Sequence, residues 1–245
     1  MYQYNDDSLM LHNDLYQINM AESYWNDGIH ERIAVFDLYF RKMPFNSGYA
    51  VFNGLKRVVN FIENFGFTNE DITYLKSIGY EEDFLNYLKD LKFTGNIKSM
   101  QEGEICFGNE PLLRVEAPLI QAQLIETILL NIINFQTLIA TKASRIRQIA
   151  THDTLMEFGT RRAQEIDAAL WGARAAFIGG FDSTSNVRAG KLFNIPVSGT
   201  HAHALVQTYG DEYIAFKKYA ERHKNCVFLV DTFHTLKSGV PTAIK

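Results

Sequence analysis

The second half of the sequence repeats one local pattern four times: a short apolar stretch, a polar or glycine-rich turn, and a helical segment. The apolar stretches are TLMEF, AAFIG, IPVSG and CVFLV, all after Thr151. This pattern favours parallel strands, because parallel neighbours need a long crossover connection whereas antiparallel neighbours can be joined by a hairpin. The carboxyl ends of parallel strands share one face, so we expect the chemistry of the protein at these turns.

A long helix is predicted before the repeats. Apolar residues recur at helical spacing after Pro118 with no helix breaker before Thr151, and proline suits the first turn of a helix. The earlier part of the chain mixes helical periodicity with alternating segments such as IAVFDLYFR, which predicts helices and antiparallel strands. The predicted organisation is an N-terminal α+β domain over 1–117, a connecting helix over 118–150 and the first half of an α/β barrel over 151–245.

The length of the chain limits the barrel prediction. A complete barrel of this kind needs about 250 residues by itself, and the region after Thr151 holds only about four strand–turn–helix units. The sequence reaches Lys245 within a Gly-Val-Pro turn. We therefore expect either an open half-barrel or a truncated piece of a longer protein.

Composition excludes several classes of protein. The chain is 47% hydrophobic and 21% charged, with a net charge of −4, which is typical of a globular protein with a buried core. It has neither a Lys/Arg run for nucleic acid nor a signal peptide or membrane span, so we expect a cytoplasmic protein without nucleic-acid or membrane partners. Cys106 and Cys226 lie in apolar stretches and are expected to be buried, reduced thiols.

The turn after TLMEF carries two adjacent arginines. Arg161 and Arg162 follow Phe158 closely in the sequence, and a guanidinium binds two oxygens of a carboxylate or phosphate at once. The same arginines could instead form ion pairs with Glu157 or Glu165. An anion site and a structural ion pair are both compatible with this pattern.

The last two turns contribute histidines and a carboxylate. His201 and His203 are separated by one residue, a spacing that is also common in metal-ligand pairs. Asp231 ends the next predicted strand and could either orient an imidazole ring or cap the following helix. A histidine oriented by a carboxylate near an anion-binding arginine favours nucleophilic or acid–base chemistry.

The turn GGFDSTSNV precedes a predicted helix that carries Arg188 and Lys191. Backbone N–H groups in such a turn can bind phosphate. Asp182, Ser183 and Asn186 in the same turn are also good helix caps. Both roles fit the spacing.

Five segments, taken together, resemble nicotinate phosphoribosyltransferases. They are NDLYQINMAESYW (13–25), MEFGTRRAQ (156–164), IGGFDSTSNVRAG (178–190), VSGTHAHALVQ (197–207) and LVDTF (229–233). The resemblance implies a type II phosphoribosyltransferase, with an irregular α/β barrel joined to an N-terminal α+β domain and a homodimer with shared active sites. The implied reaction is the first step of NAD salvage from nicotinate. It joins nicotinate to phosphoribosyl pyrophosphate, giving nicotinate mononucleotide and pyrophosphate, with coupled ATP hydrolysis and Mg²⁺ as cofactor.

The resemblance also implies roles for single residues. His203 matches the histidine that ATP phosphorylates, and Asp231 matches an acidic residue near this histidine and the ribose. Arg161 matches the arginine that holds the nicotinate carboxylate. Phe158 matches the aromatic residue on one face of the ring, and Tyr16 of the partner subunit matches the aromatic residue on the other face. We further expect substrate contacts from Ser185 and Thr200 and phosphate contacts from Arg162, Arg188 and Lys191, and we assign no residue to a metal.

Nicotinate, rather than its amide, is the expected substrate. An electron-poor ring bearing a carboxylate suits two aromatic walls, each worth about 0.5 to 1.5 kcal/mol, and a guanidinium. Relatives that prefer the amide present an acidic side chain near the ring, whereas the corresponding stretch here, 183–186, is uncharged.

Other interpretations remain open. A barrel metallohydrolase would use His201 and His203 as a metal pair, but it needs more ligands than the later strand ends supply. The chain could also be an inactive truncated fragment that only dimerises, because members of the resembled family are considerably longer. Quinolinate phosphoribosyltransferase shares the broad fold, but its second carboxylate pocket would have to come from Arg162 or Arg174.

Overall fold

A computed structural model describes residues 9–245. The N-terminal part contains α1 (Leu15–Asn26), β1 (Ile33–Leu38), a 3₁₀ turn (Pro44–Asn46), β2 (Ala50–Val51), α2 (Leu55–Glu63), α3 (Asn69–Ser77), α4 (Glu82–Asp90), β3 (Asn96–Ser99), β4 (Ile105–Cys106) and β5 (Leu113–Pro118). The long helix α5 (Leu119–Ile149) follows. The remaining elements are β6 (Met156–Glu157), a 3₁₀ turn (Thr160–Arg162), α6 (Glu165–Ile178), β7 (Ser183–Thr184), α7 (Val187–Phe193), α8 (His203–Tyr209), α9 (Glu212–Ala220), a π-helical turn (Thr235–Gly239) and α10 (Val240–Ile244).

The N-terminal part is built on antiparallel strands, as predicted. β5 lies between β1 and β3 in a three-stranded antiparallel sheet, and β2 pairs with β4. Along β5, Leu113 and Val115 are buried while Arg114 points outward and forms two hydrogen bonds with Asp37 of β1, at 2.7 and 2.8 Å. This alternation is the period of a strand that has one buried face.

The first turns of α1 and α3 are held by different contacts. The N–H of Asp71 donates to the Thr68 hydroxyl at 3.1 Å, and the N–H of Thr68 donates to the Asp71 carboxylate at 2.8 Å. This reciprocal pair is a capping box for α3. α1 begins after Asp14, but the Asp14 carboxylate accepts a hydrogen bond from Thr127 of α5 at 2.9 Å instead of capping its own helix.

Helix α5 is the central element of the core. It is 31 residues long and buries one side against the sheet and the N-terminal helices. Thr141 and Thr137 accept the backbone N–H groups of Val51 and Asn53, at 2.9 and 3.1 Å, so the polar groups beside β2 have partners. By length and composition alone α5 could cross a membrane, but 56% of its apolar window is buried inside the protein, which identifies it as a core helix.

The C-terminal part contains parallel strands, although they are short. β6 pairs with β7 in parallel, and single parallel bridges join Thr184 to Val197 and Thr200 to Val227. Three of the four predicted segments, TLMEF, IPVSG and CVFLV, therefore take part in parallel pairing. Over residues 9–245 the sheets are small and open, so the predicted part-barrel is supported only as a mixed α/β fold.

The predicted strand at AAFIG is wrong. These residues complete α6, and the strand forms later, at Ser183–Thr184. Alanine is the best helix former, and Ala173 and Ala176 are buried at helical spacing. The helix ends where a Cβ at Gly179 would collide with the carbonyl oxygen of Ala140 in α5, so glycine permits the close approach of the two helices.

Arg147, near the end of α5, fixes the amino ends of β6 and β7. Its guanidinium donates to the carbonyl oxygens of Gly180 and Ala150, at 2.7 and 2.8 Å, and forms an ion pair with Asp182 at 2.5 Å. The Asp182 carboxylate also accepts the N–H of Leu155 at 2.7 Å, and this bond, with the Arg147 charge, lowers the pKa of Asp182. Asp182 thus lies at the opposite ends of these strands from the predicted site.

Candidate active site

The turns that follow the parallel segments lie in order along one edge. The N–H of Ser185 donates to the carbonyl oxygen of Glu157 at 2.9 Å, which joins the turns after β6 and β7. The N–H of Ser198 donates to the carbonyl oxygen of Thr184 at 3.0 Å, and the same segment bridges the last one at Thr200. We call the turns that follow these parallel segments the strand-end edge.

The turn after β6 presents an exposed ring and two exposed guanidinium groups. Phe158 is 44% exposed, and Arg161 and Arg162 lie in the adjoining 3₁₀ turn, which the Arg162 N–H closes on Gly159 at 2.9 Å. Within residues 9–245, neither arginine forms an ion pair. The expected structural partner Glu157 instead binds the Gly159 N–H and the Thr184 hydroxyl.

The two adjacent arginines face different surroundings. Arg162 lines a cavity of about 260 Å³ between α5 and α6, together with Phe135, Ile139 and Gly172, whereas Arg161 does not line it. Both arginines are exposed, so Arg162 borders this cavity and solvent while Arg161 is open to solvent alone.

His201 is a structural residue. It is 8% exposed, and its Nε2 atom accepts the backbone N–H of Leu229 at 3.1 Å. Its Nδ1 atom lies 3.2 Å from the carbonyl oxygen of Ala202. The ring packs against Phe216 and Tyr219, with centroid distances of 5.5 and 5.2 Å. Both ring nitrogens already have partners, so His201 is not placed to bind a metal.

This geometry argues against the metallohydrolase interpretation. A metal pair at His201 and His203 requires a free lone pair on each ring, and the Nε2 atom of His201 accepts from Leu229. No group of three or more His, Cys, Asp or Glu side chains in the described part of the chain is arranged to hold a metal ion.

His203, unlike the buried His201, is exposed to solvent. It is the first residue of α8, its side chain is 51% exposed, and its Nε2 atom lies 3.9 Å from the carboxylate of Asp231. Its Nδ1 atom lies 3.2 Å from the hydroxyl of Thr232. The predicted proximity of His203 and Asp231 is thus observed. Thr232 had no predicted role, and only its position next to Asp231 could have indicated one.

The two middle turns are partly used for structure. The Thr200 hydroxyl donates to the carbonyl oxygen of His201 at 2.8 Å. Asn186 caps α7 by accepting the N–H of Ala189 at 2.9 Å, so the capping role considered for this turn is real. Ser185 is half-buried beside the strand-end edge, and Arg188 and Lys191 are exposed on α7.

Tyr16 lies away from the strand-end edge. It is on α1, where its hydroxyl accepts a hydrogen bond from Gln17 at 2.9 Å and donates to Glu126 of α5 at 3.4 Å. Desolvation, followed by the charges of Glu126 and Asp14, raises the pKa of Tyr16. The ring lines a groove of about 440 Å³ with Tyr39, and none of the strand-end residues lines this groove.

Comparison with known proteins identifies the family. Residues 11–134 match the family model for the nicotinate phosphoribosyltransferase N-terminal domain. The chain belongs to the nicotinate phosphoribosyltransferase family. The nicotinate phosphoribosyltransferase of Bacillus subtilis is 66% identical over 245 residues, which is 100% of this chain and 50% of the relative. That of Dictyostelium discoideum is 40% identical over 274 residues, which is 94% of this chain and 46% of the relative.

Solved structures agree with this family. The crystal structure of human nicotinic acid phosphoribosyltransferase superposes with a TM-score of 0.85 at 31% identity, covering 94% of this chain and 56% of the human chain. Nicotinate-nucleotide pyrophosphorylase from Pyrococcus furiosus gives a TM-score of 0.77 at 25% identity, covering 96% of this chain and 53% of that chain. The chain spans about half the length of the curated relatives and solved structures described here.

Proposed function

We propose that this chain supplies the nicotinate-binding turn and the phosphorylated histidine of a nicotinate phosphoribosyltransferase. The reaction joins nicotinate to phosphoribosyl pyrophosphate and couples the transfer to ATP hydrolysis. The observation that carries the proposal is the strand-end edge, where the exposed Phe158 and Arg161 and the His203–Asp231 pair follow neighbouring parallel segments. Within the chain we propose a functional division into 1–117, 118–150 and 151–245.

Nicotinate recognition is assigned to the turn after β6. Arg161 has no ion pair within residues 9–245, so its guanidinium is free to take the carboxylate of the substrate in a two-point hydrogen bond. The Phe158 ring can stack on the pyridine ring. With the substrate held in this way, the pyridine nitrogen is the nucleophile at C1 of the ribose, and positioning matters more than a protein base.

His203 is assigned to phosphoryl transfer from ATP. A ring nitrogen lone pair of neutral His203 attacks the γ-phosphorus, the N–P bond forms, the bond from phosphorus to the bridging oxygen breaks, and ADP leaves. The carboxylate of Asp231, 3.9 Å away, stabilises the positive charge that develops on the imidazole. The Thr232 hydroxyl, 3.2 Å from Nδ1, holds the edge of the ring that carries this nitrogen. The phosphorylated histidine adds negative charge next to the bound substrates.

The remaining contacts are assigned to phosphate and ribose. Ser185 and Thr200 lie on the strand-end edge and are proposed to contact substrate, and Arg188 and Lys191 on α7 are proposed to contact phosphate groups. Arg162, which lines the α5–α6 cavity together with Glu157 and Gly159, is also proposed to contact a phosphate group.

The residues present are compatible with Mg²⁺ carried by the substrate. Mg²⁺ commonly binds one or two carboxylates together with substrate phosphates, and Asp231 offers one exposed carboxylate on the strand-end edge. When bound there, Mg²⁺ would neutralise charge on pyrophosphate. The protein groups Arg161, Phe158 and His203 position the reacting atoms.

A homodimer accounts for the position of Tyr16. This residue lies outside the strand-end edge of its own chain, and its exposed ring is proposed to close the nicotinate site of a partner subunit. The exposed apolar residues Leu15, Val35 and Leu130 near α1, β1 and α5 supply contact area for such an assembly. The location is proposed to be cytoplasmic.

The proposal is tested by assaying a chimera in which this chain replaces the matching half of the Bacillus subtilis relative. We expect pyrophosphate release that depends on both nicotinate and phosphoribosyl pyrophosphate and that ATP stimulates. Nicotinamide in place of nicotinate should give little product. A correctly folded chimera without nicotinate-dependent turnover would contradict the proposal and favour a fragment that only dimerises.

A further inference from the structure

A chain of hydrogen bonds joins the turn after β6 to the start of α7. One carboxylate oxygen of Glu157 accepts the N–H of Gly159, and the other accepts the Thr184 hydroxyl at 2.7 Å. The Thr184 hydroxyl oxygen accepts the N–H of Asn186 at 3.0 Å, and the Asn186 side chain accepts the N–H of Ala189 at 2.9 Å. We call this chain the Glu157–Thr184 relay.

The local structure is built around this relay. Thr184 is fully buried, so its hydroxyl has no access to water as an alternative partner. A Cβ at Gly159 would lie 2.7 Å from the Glu157 carboxylate oxygen, so a side chain there would displace that carboxylate. The N–H of Ser185 also donates to the Glu157 carbonyl oxygen at 2.9 Å, which fixes the register of the two strands beside the relay.

The relay involves the residues on both sides of Phe158 in the sequence. Glu157 and Gly159 flank this residue, and the Glu157 carboxylate closes on the N–H of Gly159. The Arg161 turn follows directly, since the Gly159 carbonyl oxygen accepts the N–H of Arg162 at 2.9 Å. The same carboxylate is therefore engaged with the backbone and Thr184 while the neighbouring arginines remain outside ion pairs in the described part of the chain.

We propose that Glu157 and Thr184 are positioning residues for nicotinate. They hold the backbone on both sides of Phe158 and connect it to the capped start of α7, which carries the proposed phosphate contacts. Binding to a turn that is already ordered avoids the entropic cost of ordering it on each encounter. This inference rests on the proposed function of the strand-end edge, and it adds two residues that do not touch the substrate.

The test compares single variants in the chimera. Thr184→Val keeps the shape of the buried side chain but removes the hydroxyl, leaving the Glu157 carboxylate without one donor and the Asn186 N–H without its acceptor. We expect the KM for nicotinate to rise about tenfold, the effect of losing one charge-assisted hydrogen bond, while kcat stays within about twofold. Thr184→Ser retains the hydroxyl and should restore the original KM.

Glu157→Ala breaks the same hydrogen-bond network by removing the carboxylate that accepts from Gly159 and Thr184. Glu157 is only half-buried, so this variant is expected to fold even if Thr184→Val does not, and it should raise the KM for nicotinate to a similar extent. Because both changes break one network, the double variant should be no worse than the more severe single variant. Thr73→Val, which removes an exposed hydroxyl that donates within α3, is the matched control and should leave KM unchanged.

Two results would overturn the inference. One is a folded Glu157→Ala or Thr184→Val chimera whose nicotinate KM remains within twofold of the unmodified chimera. The other is a loss confined to kcat and thermal stability, which is the signature of a residue that only supports folding. An unmodified chimera without activity would reject the proposed function, and the inference with it, and is recognised before any variant is made.

Discussion

Arg161 and Arg162 are adjacent in the sequence but lie in different surroundings. Arg162 borders the cavity between α5 and α6, while Arg161 does not. A pair of adjacent arginines predicts an anion site, but the sequence pattern does not distinguish the surroundings of the two side chains. The same holds for His201 and His203, of which one is buried among aromatic rings and the other is exposed beside Asp231.

The two arginines should differ in their effect on nicotinate binding. In the chimera, Arg161→Gln should raise the KM for nicotinate about 10- to 100-fold, because a charge-assisted hydrogen bond contributes about 1.5 to 3 kcal/mol. Arg162→Gln is the matched control and should raise it much less. Steady-state kinetics with varied nicotinate measure both, and equal effects would show that the two guanidinium groups share the substrate.

His203 should couple ATP to transfer. His203→Ala is expected to abolish phosphorylation of the protein by ATP labelled at the γ-phosphate and to remove ATP stimulation, while a slow ATP-independent transfer remains. His152→Ala changes an exposed histidine outside the proposed site and should leave both properties intact. Full ATP stimulation in the His203→Ala chimera would refute the assignment.

Helix α6 connects the arginine turn to the N-terminal part of the protein. Arg174 of this helix forms two hydrogen bonds with the Glu102 carboxylate, at 2.9 and 2.6 Å, and both side chains are largely buried. Near the start of the helix, Asp167 pairs with Arg57 of α2 at 2.7 Å. The helix that follows the proposed nicotinate-binding turn is therefore held by charged contacts at two points.

The Glu102–Arg174 pair makes stability depend on pH in a defined direction. Burial favours a higher pKa for Glu102, but the Arg174 guanidinium and the N–H groups of Gly54 and Lys56 lower it below the usual value. A carboxyl group with a lowered pKa in the folded protein contributes stability that is present above its unfolded pKa and is lost as the pH falls through the folded value. That contribution should therefore be complete at neutral pH.

Glu102→Gln should remove this contribution. Urea unfolding of the 245-residue chain at pH 7 should show a loss of about 3 kcal/mol, because the variant leaves a buried guanidinium without its charge partner. The difference from the unmodified chain should shrink as the pH falls below about 4.3, the ordinary glutamate pKa. Glu70→Gln on the surface of α3 is the control, and a pH-independent difference would contradict the role of the Glu102 charge.

Elements with a local signal could be predicted, and those that depend on distant contacts could not. The capping box of α3 is formed by Thr68 and Asp71, which are close in the sequence, so it can be predicted locally. The long helix α5 can also be predicted, because its apolar periodicity is strong. The run AAFIG predicts a strand but forms the end of α6, because a short apolar run can belong to a strand or to a buried helix. The relay between Glu157 and Thr184 depends on the register of β6 and β7. This register cannot be predicted from a local sequence pattern.

The molecule as a whole has two kinds of architecture on either side of α5. The N-terminal part uses antiparallel strands and a large apolar core, while the later part uses short parallel segments that place polar turns at one edge. The edge itself was predictable from the strand–turn–helix repeat. Tyr16 lies outside this edge, and only the resemblance to the family, not a local sequence pattern, assigns it to the site of a partner subunit.

The proposed homodimer with shared active sites gives a prediction for mixed dimers. Tyr16→Ala and Arg161→Ala chimeras should each be weak enzymes, since one lacks the ring contributed to the partner and the other lacks the carboxylate contact. If they exchange subunits, about half of the dimers are mixed, and each of these has one site with neither substitution. Activity should therefore rise on mixing, to about a quarter of the unmodified value, and no rise would place Tyr16 in the site of its own chain or outside any site.

We propose that the strand-end edge holds a pyridine carboxylate between Phe158 and Arg161, within reach of the segment that carries His203. A crystal structure of the chimera with nicotinate tests it most directly. We expect the nicotinate carboxylate about 2.8 Å from the Arg161 guanidinium, its ring against Phe158, and His203 lining the same cavity. Nicotinate bound elsewhere, with Arg161 and His203 in separate cavities, would contradict the proposed site.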